Sequence, residues 1–320
     1  IQERVFEERD QHGRFLYKNS LQAKYSFVGT PVVNVYFELL AKAIREKGFD
    51  CDHKKTEKKL VFTHDIDQVR SGWLEDMVYA LRKPSWSSLG LIVKSVFTKA
   101  FGKEDPYSKA LVRMNELDAK HKLESINFLM TKKSHKDADY DISKVIKTGV
   151  FDQQTIGLHP GYDTCKDKKE FAKQFEILKK LFPNCKQFVR QHFLRYEVKT
   201  TPKIQESLGV ERDYSLGFVE QFGFRNSYAG PFQLYSFEEN RAYSVIQIPL
   251  YFMDSTLINH LKNDSWESKL EVIQSVDKLL STFDCTFSVL FHNSVFTENK
   301  YKGFEKMYLE LAKLSKENNH

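Results

Sequence analysis

The chain alternates short apolar runs with longer stretches of helical period, and this alternation restricts its fold more than any other property. Runs of strand length fall at 60–65, 126–130, 155–158, 187–190, 210–212, 245–248 and 286–291. Helical patterns fall within 73–120, at 142–148 and 167–182, from the Thr201-Pro202 pair onward, and at 266–282 and 301–316. A helix between two strands carries the chain back to its starting edge, so successive strands run parallel. The class is therefore α/β, with a largely parallel sheet that is closed or nearly closed. The stretch 73–120 holds several helical segments and no strand-like alternation, and reads as a helical insertion after the first strand. One of these segments is opened by Asp105-Pro106 as cap and first turn. Upstream, Val33, Phe37, Leu40 and Ile44 recur at i, i+4, i+7 and i+11, with Gly48 placed to end a helix over 31–48. Asp10-Gln11-His12-Gly13-Arg14-Phe15 reads as a turn leading into a packed loop.

Composition narrows the function classes. No apolar run approaches the roughly 18 residues of a membrane span, so no membrane span is expected. The net charge is +6, but the lysines lie in mixed clusters such as Lys54-Lys55-Thr56-Glu57-Lys58-Lys59 and Lys166-Asp167-Lys168-Lys169. These are solvated faces rather than a nucleic-acid surface, and nucleic acid is not an expected partner. A weakly basic balance suits an anionic substrate, for instance a nucleotide- or lipid-diphosphate-linked sugar. Cys51, Cys165, Cys185 and Cys285 form no Cys-x-x-Cys pair and read as free thiols in a reducing compartment. No charged-then-apolar leader opens the chain, which begins at Ile1 rather than Met. The expectation is a cytoplasmic protein with a trimmed N-terminus.

Polar residues collect where the apolar runs stop. Leu60-Val61-Phe62 is followed by Thr63-His64-Asp65-Ile66-Asp67. Alternation along a strand puts Thr63, Asp65 and Asp67 on one face and His64 and Ile66 on the other. Two carboxylates so close call for a cation, a shared proton or a basic partner, unless the segment is an Asp-rich turn capping the next helix. Later runs end on His159, on Arg190 with His192, on Asp213 and on His292. A lone strand-end histidine is more often a structural group. Several such endings in one chain instead match the C-terminal face of an α/β barrel, where active sites form. Arg190 is placed to neutralise one of the two carboxylates. His159 sits in Ile156-Gly157-Leu158-His159-Pro160-Gly161-Tyr162-Asp163, whose imidazole and carboxylate suit a zinc-like ion. His292 carries an imidazole fit for a general acid or base.

Taken in order, the segments THDID, SINFLM, IGLHPGYD, RQHFLRY, DYSLGF with GFRNS, PLYFMD and LFHN resemble the polysaccharide deacetylase superfamily. This is the NodB-homology, carbohydrate esterase family 4 type, and the chain resembles a divergent branch associated with bacterial surface-polysaccharide loci. The resemblance implies a distorted (β/α) barrel over 55–320 behind a lead-in segment at 1–54. By resemblance, Asp65 is the catalytic base, Asp67 a metal ligand, His159 the first metal histidine, Arg190 the residue orienting the base and His292 the general acid. Asp213 falls near the motif that tunes that acid. The second metal histidine is replaced by Asp163. Asp163 as an oxygen ligand and His192 as a substitute are the two expected replacements, against a site that binds metal poorly. The ion implied is zinc, with manganese, iron or cobalt as alternatives. Tyr162, Phe193, Tyr214 and Phe224, with Asp213, are candidates for contact with sugar. The implied activity is hydrolysis of an N-acetyl or other N-acyl group, formyl included, on an amino-sugar glycan or its activated or lipid-linked precursor. The rival is a catalytically weakened carbohydrate-binding protein on the same fold.

Overall fold

Strand β1 (Lys59–Ile66) organises the molecule because its two faces serve different purposes. Leu60, Phe62 and Ile66 pack into the large outer core with the helices, whereas Val61 joins an inner cluster with Ile126, Phe128, Tyr214 and Ile248. Strict alternation then turns Thr63 and Asp65 inward. β1 pairs in parallel with β2 (Ile126–Leu129) and with β9 (Thr286–His292). Beyond β2, in parallel, come β3 (Thr155–Leu158), β4 (Phe188–Val189), β5 (Arg212–Asp213) and β7 (Arg241–Gln247). β6 (Phe232–Ser236) closes that side antiparallel to β7, and β8 (Leu250–Met253) lies parallel to β9 on the other. The order is β6-β7-β5-β4-β3-β2-β1-β9-β8. The computed structural model describes residues 2–50, 57–82, 86–102, 104–297 and 300–317.

The linkage from β7 to β8 shows that this sheet curls. Only Ile248 and Pro249 separate the two strands, and three Cα steps reach no further than about 11 Å. Yet β7 and β8 stand near opposite ends of the strand order. The Ile248 amide donates to Asp213 O at 2.8 Å, and Ser288 N donates to Pro249 O at 2.8 Å. Two residues thus bridge the far sides of a barrel-like sheet, and the C-terminal ends of its parallel strands gather at one mouth.

Helices fill the crossovers. Ahead of β1 lie α1 (Gln2–Val5), α2 (Leu21–Lys24) and α3 (Val32–Glu46). Three helices separate β1 from β2: α4 (Gly72–Arg82), α5 (Trp86–Ala100) and α6 (Pro106–His121). The remaining crossovers carry α7 (Ile142–Ile146), α8 (Lys168–Leu181), α9 (Thr201–Ser207) and α10 (Trp266–Thr282), and α11 (Phe304–Glu317) follows β9. Asp105 caps α6 by accepting from Tyr107 N, with Pro106 in the first turn, as the sequence predicts. α3 ends where Gly48 takes φ +83°, with Gly48 N bonded to Arg45 O and Phe49 N to Ile44 O. That left-handed turn is the reason a glycine is needed there. No helix among the described residues is long and apolar enough to cross a membrane.

Three expectations change. The helix over 31–48 forms, but its apolar stripe is not core: Phe37 is 54% and Leu40 58% exposed, while Ala41 is buried. The strand placed at 210–212 lies at Arg212–Asp213. β6 and β8 were not anticipated: β6 is a partly exposed edge strand, and β8 follows β7 within one apolar stretch in which only Pro249, which cannot donate to a ladder, marks the break. The boundary expected between 54 and 55, and Cys51, lie outside the described residues.

Candidate active site

Parallel pairing brings the strand endings together. β1 and β9 place Asp65 opposite His292, and the β3–β4 pairing sets Leu158, just before His159, opposite Val189, just before Arg190. Asp65, Asp67, His159, His192 and His292 all line one cleft of about 760 Å³. Register removes most of their separation in sequence, and the loops just beyond the strand ends do the rest.

At the centre, one ligand atom each from Asp67, His159 and His192 lies within 4.8 Å of the others. His159 Nδ1 donates to the Arg190 carbonyl at 2.5 Å, which leaves Nε2 facing Asp67 Oδ1 at 3.3 Å and Asp65 Oδ2 at 3.6 Å. An imidazole lone pair and a carboxylate cannot face each other at that range without a cation or a proton between them. Asp67 Oδ1 and Asp65 Oδ1 are buried and have no hydrogen-bond partner. His192 Nε2 stands 3.9 Å from Asp67 Oδ2, and its Nδ1 lies 3.8 Å from Asp137 Oδ1. Two imidazole nitrogens and a carboxylate oxygen fit a divalent metal ion.

The electrostatics agree with that geometry. Burial works against charge on Asp67, but His159 first, with His192 and His292 nearby, holds its carboxyl far below the usual range. Burial likewise opposes charge on His159, and Asp65 and Asp67 overcome it, raising its pKa. Asp137 is held low against burial by His192, the Tyr162 amide and Ser134. A Cβ added at Gly161 would sit 2.8 Å from Asp137 Oδ1, so the loop passes close to the carboxylate behind His192 only because it has a glycine there.

His292 occupies the opposite wall with a partner of its own. Its Nδ1 donates to Asp254 Oδ1 at 2.6 Å, and its backbone N–H donates to Asp254 Oδ2 at 2.7 Å. Nε2 is thereby left pointing inward, 3.7 Å from Asp67 Oδ2. Burial disfavours the imidazolium, but Asp254 in the first place, with Asp67 and Asp65, lifts the pKa to about 10.

Several expected site residues stand elsewhere. Asp163 is 68% exposed and pairs with Arg195 at 3.6 Å, so it is not among the converging ligand atoms. The loop turns its side chain outward at the position where the resemblance led to a ligand. Asp213 is fully buried, accepts from Ser215 N and Gln205 Nε2, and is pushed up to about 6 by burial; Asp254, not Asp213, meets His292. Tyr214 packs inside the barrel against Phe128 and Phe188, and Phe224 packs against Tyr251 and Phe287. Neither of these rings lines the cleft. Arg190 is wholly buried and donates from Nη2 to Thr63 Oγ1 at 2.8 Å. No hydrogen bond joins it to Asp65, which it reaches through charge alone.

Tyr162 and Phe193 do line the cleft, and an unforeseen wall stands beside them. His12 stacks on Phe193 with ring centroids 4.7 Å apart, and its Nδ1 bonds Tyr162 Oη at 2.9 Å. Arg195 Nε donates to His12 O at 2.8 Å, and Arg14 Nη1 donates to Phe193 O at 3.0 Å. Phe193 and Leu194 take φ of 58° and 52°, a left-handed pair that turns the chain immediately after His192. Each such non-glycine residue costs roughly 1–2 kcal/mol, and the Arg14 bond helps to hold the turn. The sequence offered one missed signal: Asp254 ends PLYFMD as Asp65 ends its own apolar run. Asp137 and His12 lie in polar loops without any such signal.

Residues 1–49 match a family described as a family of unknown function (DUF7033). No curated protein matches the chain by sequence. Among solved structures, one described as a "putative polysaccharide deacetylase from Mycobacterium smegmatis" is 11% identical, with 82% of this chain and 86% of that chain covered and a TM-score of 0.46. So distant a likeness supports neither the fold nor the chemistry, and both rest on the geometry above.

Proposed function

We propose that the chain is a metal-dependent hydrolase that removes an acyl group, N-acetyl first among them, from an amino sugar of a bacterial surface polysaccharide or its precursor. The observation that carries this reading is the convergence of Asp67, His159 and His192 between Asp65 on one side and a His292–Asp254 pair on the other. Together with the ordered motifs of the sequence, it supports a hydrolytic site more than a lectin-like groove. A lectin has no use for a buried acid and an oriented imidazolium facing one point.

Asp67, His159 and His192 would hold the ion, and zinc suits a set of two imidazoles and one carboxylate. A bound cation supplies Lewis acidity to the acyl carbonyl and to a water nucleophile. Asp65, beside that position but spare as a ligand, takes the proton as the water oxygen bonds to the acyl carbon. Arg190 keeps positive charge behind it. As the C–N bond breaks, His292 Nε2–H protonates the departing nitrogen, and Asp254 stabilises the imidazolium before transfer. Tyr162, Phe193 and His12 form a platform on which a sugar ring can stack.

The test is release of acetate, with formate measured beside it, from N-acylated amino-sugar glycans by protein of known metal content. Asp65→Asn is expected to keep fold and metal while losing at least about a hundredfold in kcat, and Asp67→Ala to lose metal. A fully metal-loaded protein that frees no acyl group from a broad panel would overturn the enzyme reading in favour of carbohydrate binding.

A further inference from the structure

Among the described side chains of helix α5, Ser88 and Ser95 are buried and Leu91 and Ile92 half-buried, while Leu89, Val93, Val96, Phe97 and Phe101 at its end are 47–69% exposed. Those positions, at i, i+4, i+7, i+8 and i+12, share one face of a helix. Phe97 and Phe101 stack on one another in the open with centroids 5.1 Å apart, and Leu74 and Leu81 of α4 add further exposed apolar surface. A contiguous apolar stripe of this kind marks a surface made to meet something.

Charge identifies the partner. From 77 to 103 the sequence carries Arg82, Lys83, Lys94, Lys99 and Lys103 and no Asp or Glu. Arg82, Lys94 and Lys99 are exposed; of the acids that border this stretch, Asp76 is buried on α4, Glu75 pairs with Lys300 at 3.0 Å, and Glu104 is exposed beyond Phe101. An apolar stripe flanked mainly by positive charge disfavours a second copy of the chain, since a two-fold contact would bring like charges together. It matches a surface that is apolar within and negative at its boundary, as an anionic bilayer is. At 15 residues α5 spans about 22 Å, enough to lie along such a surface and too short to cross it.

We infer that the α4–α5 hairpin docks the protein onto an anionic lipid surface, with Leu89, Val93, Val96, Phe97 and Phe101 entering the headgroup boundary. The hairpin is rooted beside the cleft: Gly72 begins α4 five residues after Asp67, and Asn293, a cleft-lining residue, donates to Gln68 O at 2.8 Å. Docking would therefore bring the cleft close to the lipid, and it stands whether or not the proposed hydrolysis is correct.

The full chain is sedimented with vesicles of phosphatidylcholine alone and with vesicles containing a quarter phosphatidylglycerol. Roughly tenfold or greater preference for the anionic vesicles is expected, weakening as salt rises from about 0.1 to 0.5 M. The double substitution Val93→Glu with Phe97→Glu, on the outward face, should abolish binding while leaving circular dichroism and metal content unchanged. Lys94→Glu with Lys99→Glu should remove the preference for anionic lipid. No binding to anionic vesicles at low salt would overturn the inference, as would binding that survives the Val93/Phe97 change. So would a stable dimer that the same change converts to monomer, since the face would then belong to a second copy.

Discussion

His292 and Asp254 stand 38 residues apart, yet their contact governs the charge of the imidazole that the proposed mechanism uses as its acid. With its pKa at about 10, His292 stays protonated across neutral pH, so a step needing its proton fails only as pH rises through that value. Asp254→Asn removes the first of the groups raising it. The alkaline limb of kcat/KM is then expected to move to lower pH by about 1–3 units; an unmoved limb would mean that another group donates. The proposed metal ligand His192 can also be tested. His192→Ala should lose metal, read by elemental analysis after dialysis, whereas Asp163→Ala should keep it, since Asp163 turns to solvent beside Arg195. Asp65, Asp67, His159 and His292 were legible in the sequence because each ends an apolar run, and strand geometry places such endings on one rim. Asp137 was not, because nothing local distinguishes a loop carboxylate that will lie behind a histidine from one that stays in water.

At the scale of elements, Asp10-Gln11-His12-Gly13-Arg14-Phe15 reads as a turn leading into a packed loop, and in the structure Gln11, His12 and Arg14 of that loop line the cleft. Its place depends on contacts between residues far apart in sequence: Arg195 to His12, and Arg14 to the carbonyl of Phe193. No sequence period encodes such contacts. His12→Ala removes one hydrogen bond and one stacked ring, together worth about 1 kcal/mol or somewhat more. KM is expected to rise roughly fivefold with kcat little changed. An equal fall in kcat would place His12 nearer the reacting atoms. β8 escaped detection for a related reason: an apolar stretch does not say where one strand stops and the next begins.

Across the whole molecule, β1 shows two uses of one strand. Its inward face carries Asp65 to the cleft, while its outward face carries His64 to Asp118, 3.2 Å away, in a buried network with Ser125 and Tyr308. Burial works against charge on Asp118, but His64 and the hydrogen bonds from Ser125 and Tyr308 hold its pKa below the ordinary value. A carboxyl lowered on folding stabilises the protein above its unfolded pKa of about 3.9, and that stability is lost as pH falls through the lower folded value. Asp118→Asn is expected to cost about 1–3 kcal/mol near neutral pH, through the hydrogen bonds it disrupts. In urea denaturation the gap from the parent protein should close as pH drops below about 4; a constant gap would assign the loss to packing instead.

The sequence by itself determined the α/β class, the parallel order of strands and helices, and the presence of acids and imidazoles at strand ends, because these follow from local period and chain direction. Tertiary structure alone decided which of them meet. Register set Asp65 opposite His292, and the curl of the sheet let two residues bridge β7 and β8. The turn at Phe193 and Leu194 follows His192, which joins Asp67 and His159, while Asp163 faces water. Those outcomes depend on distances between segments far apart in the chain, and no window of sequence contains such a distance.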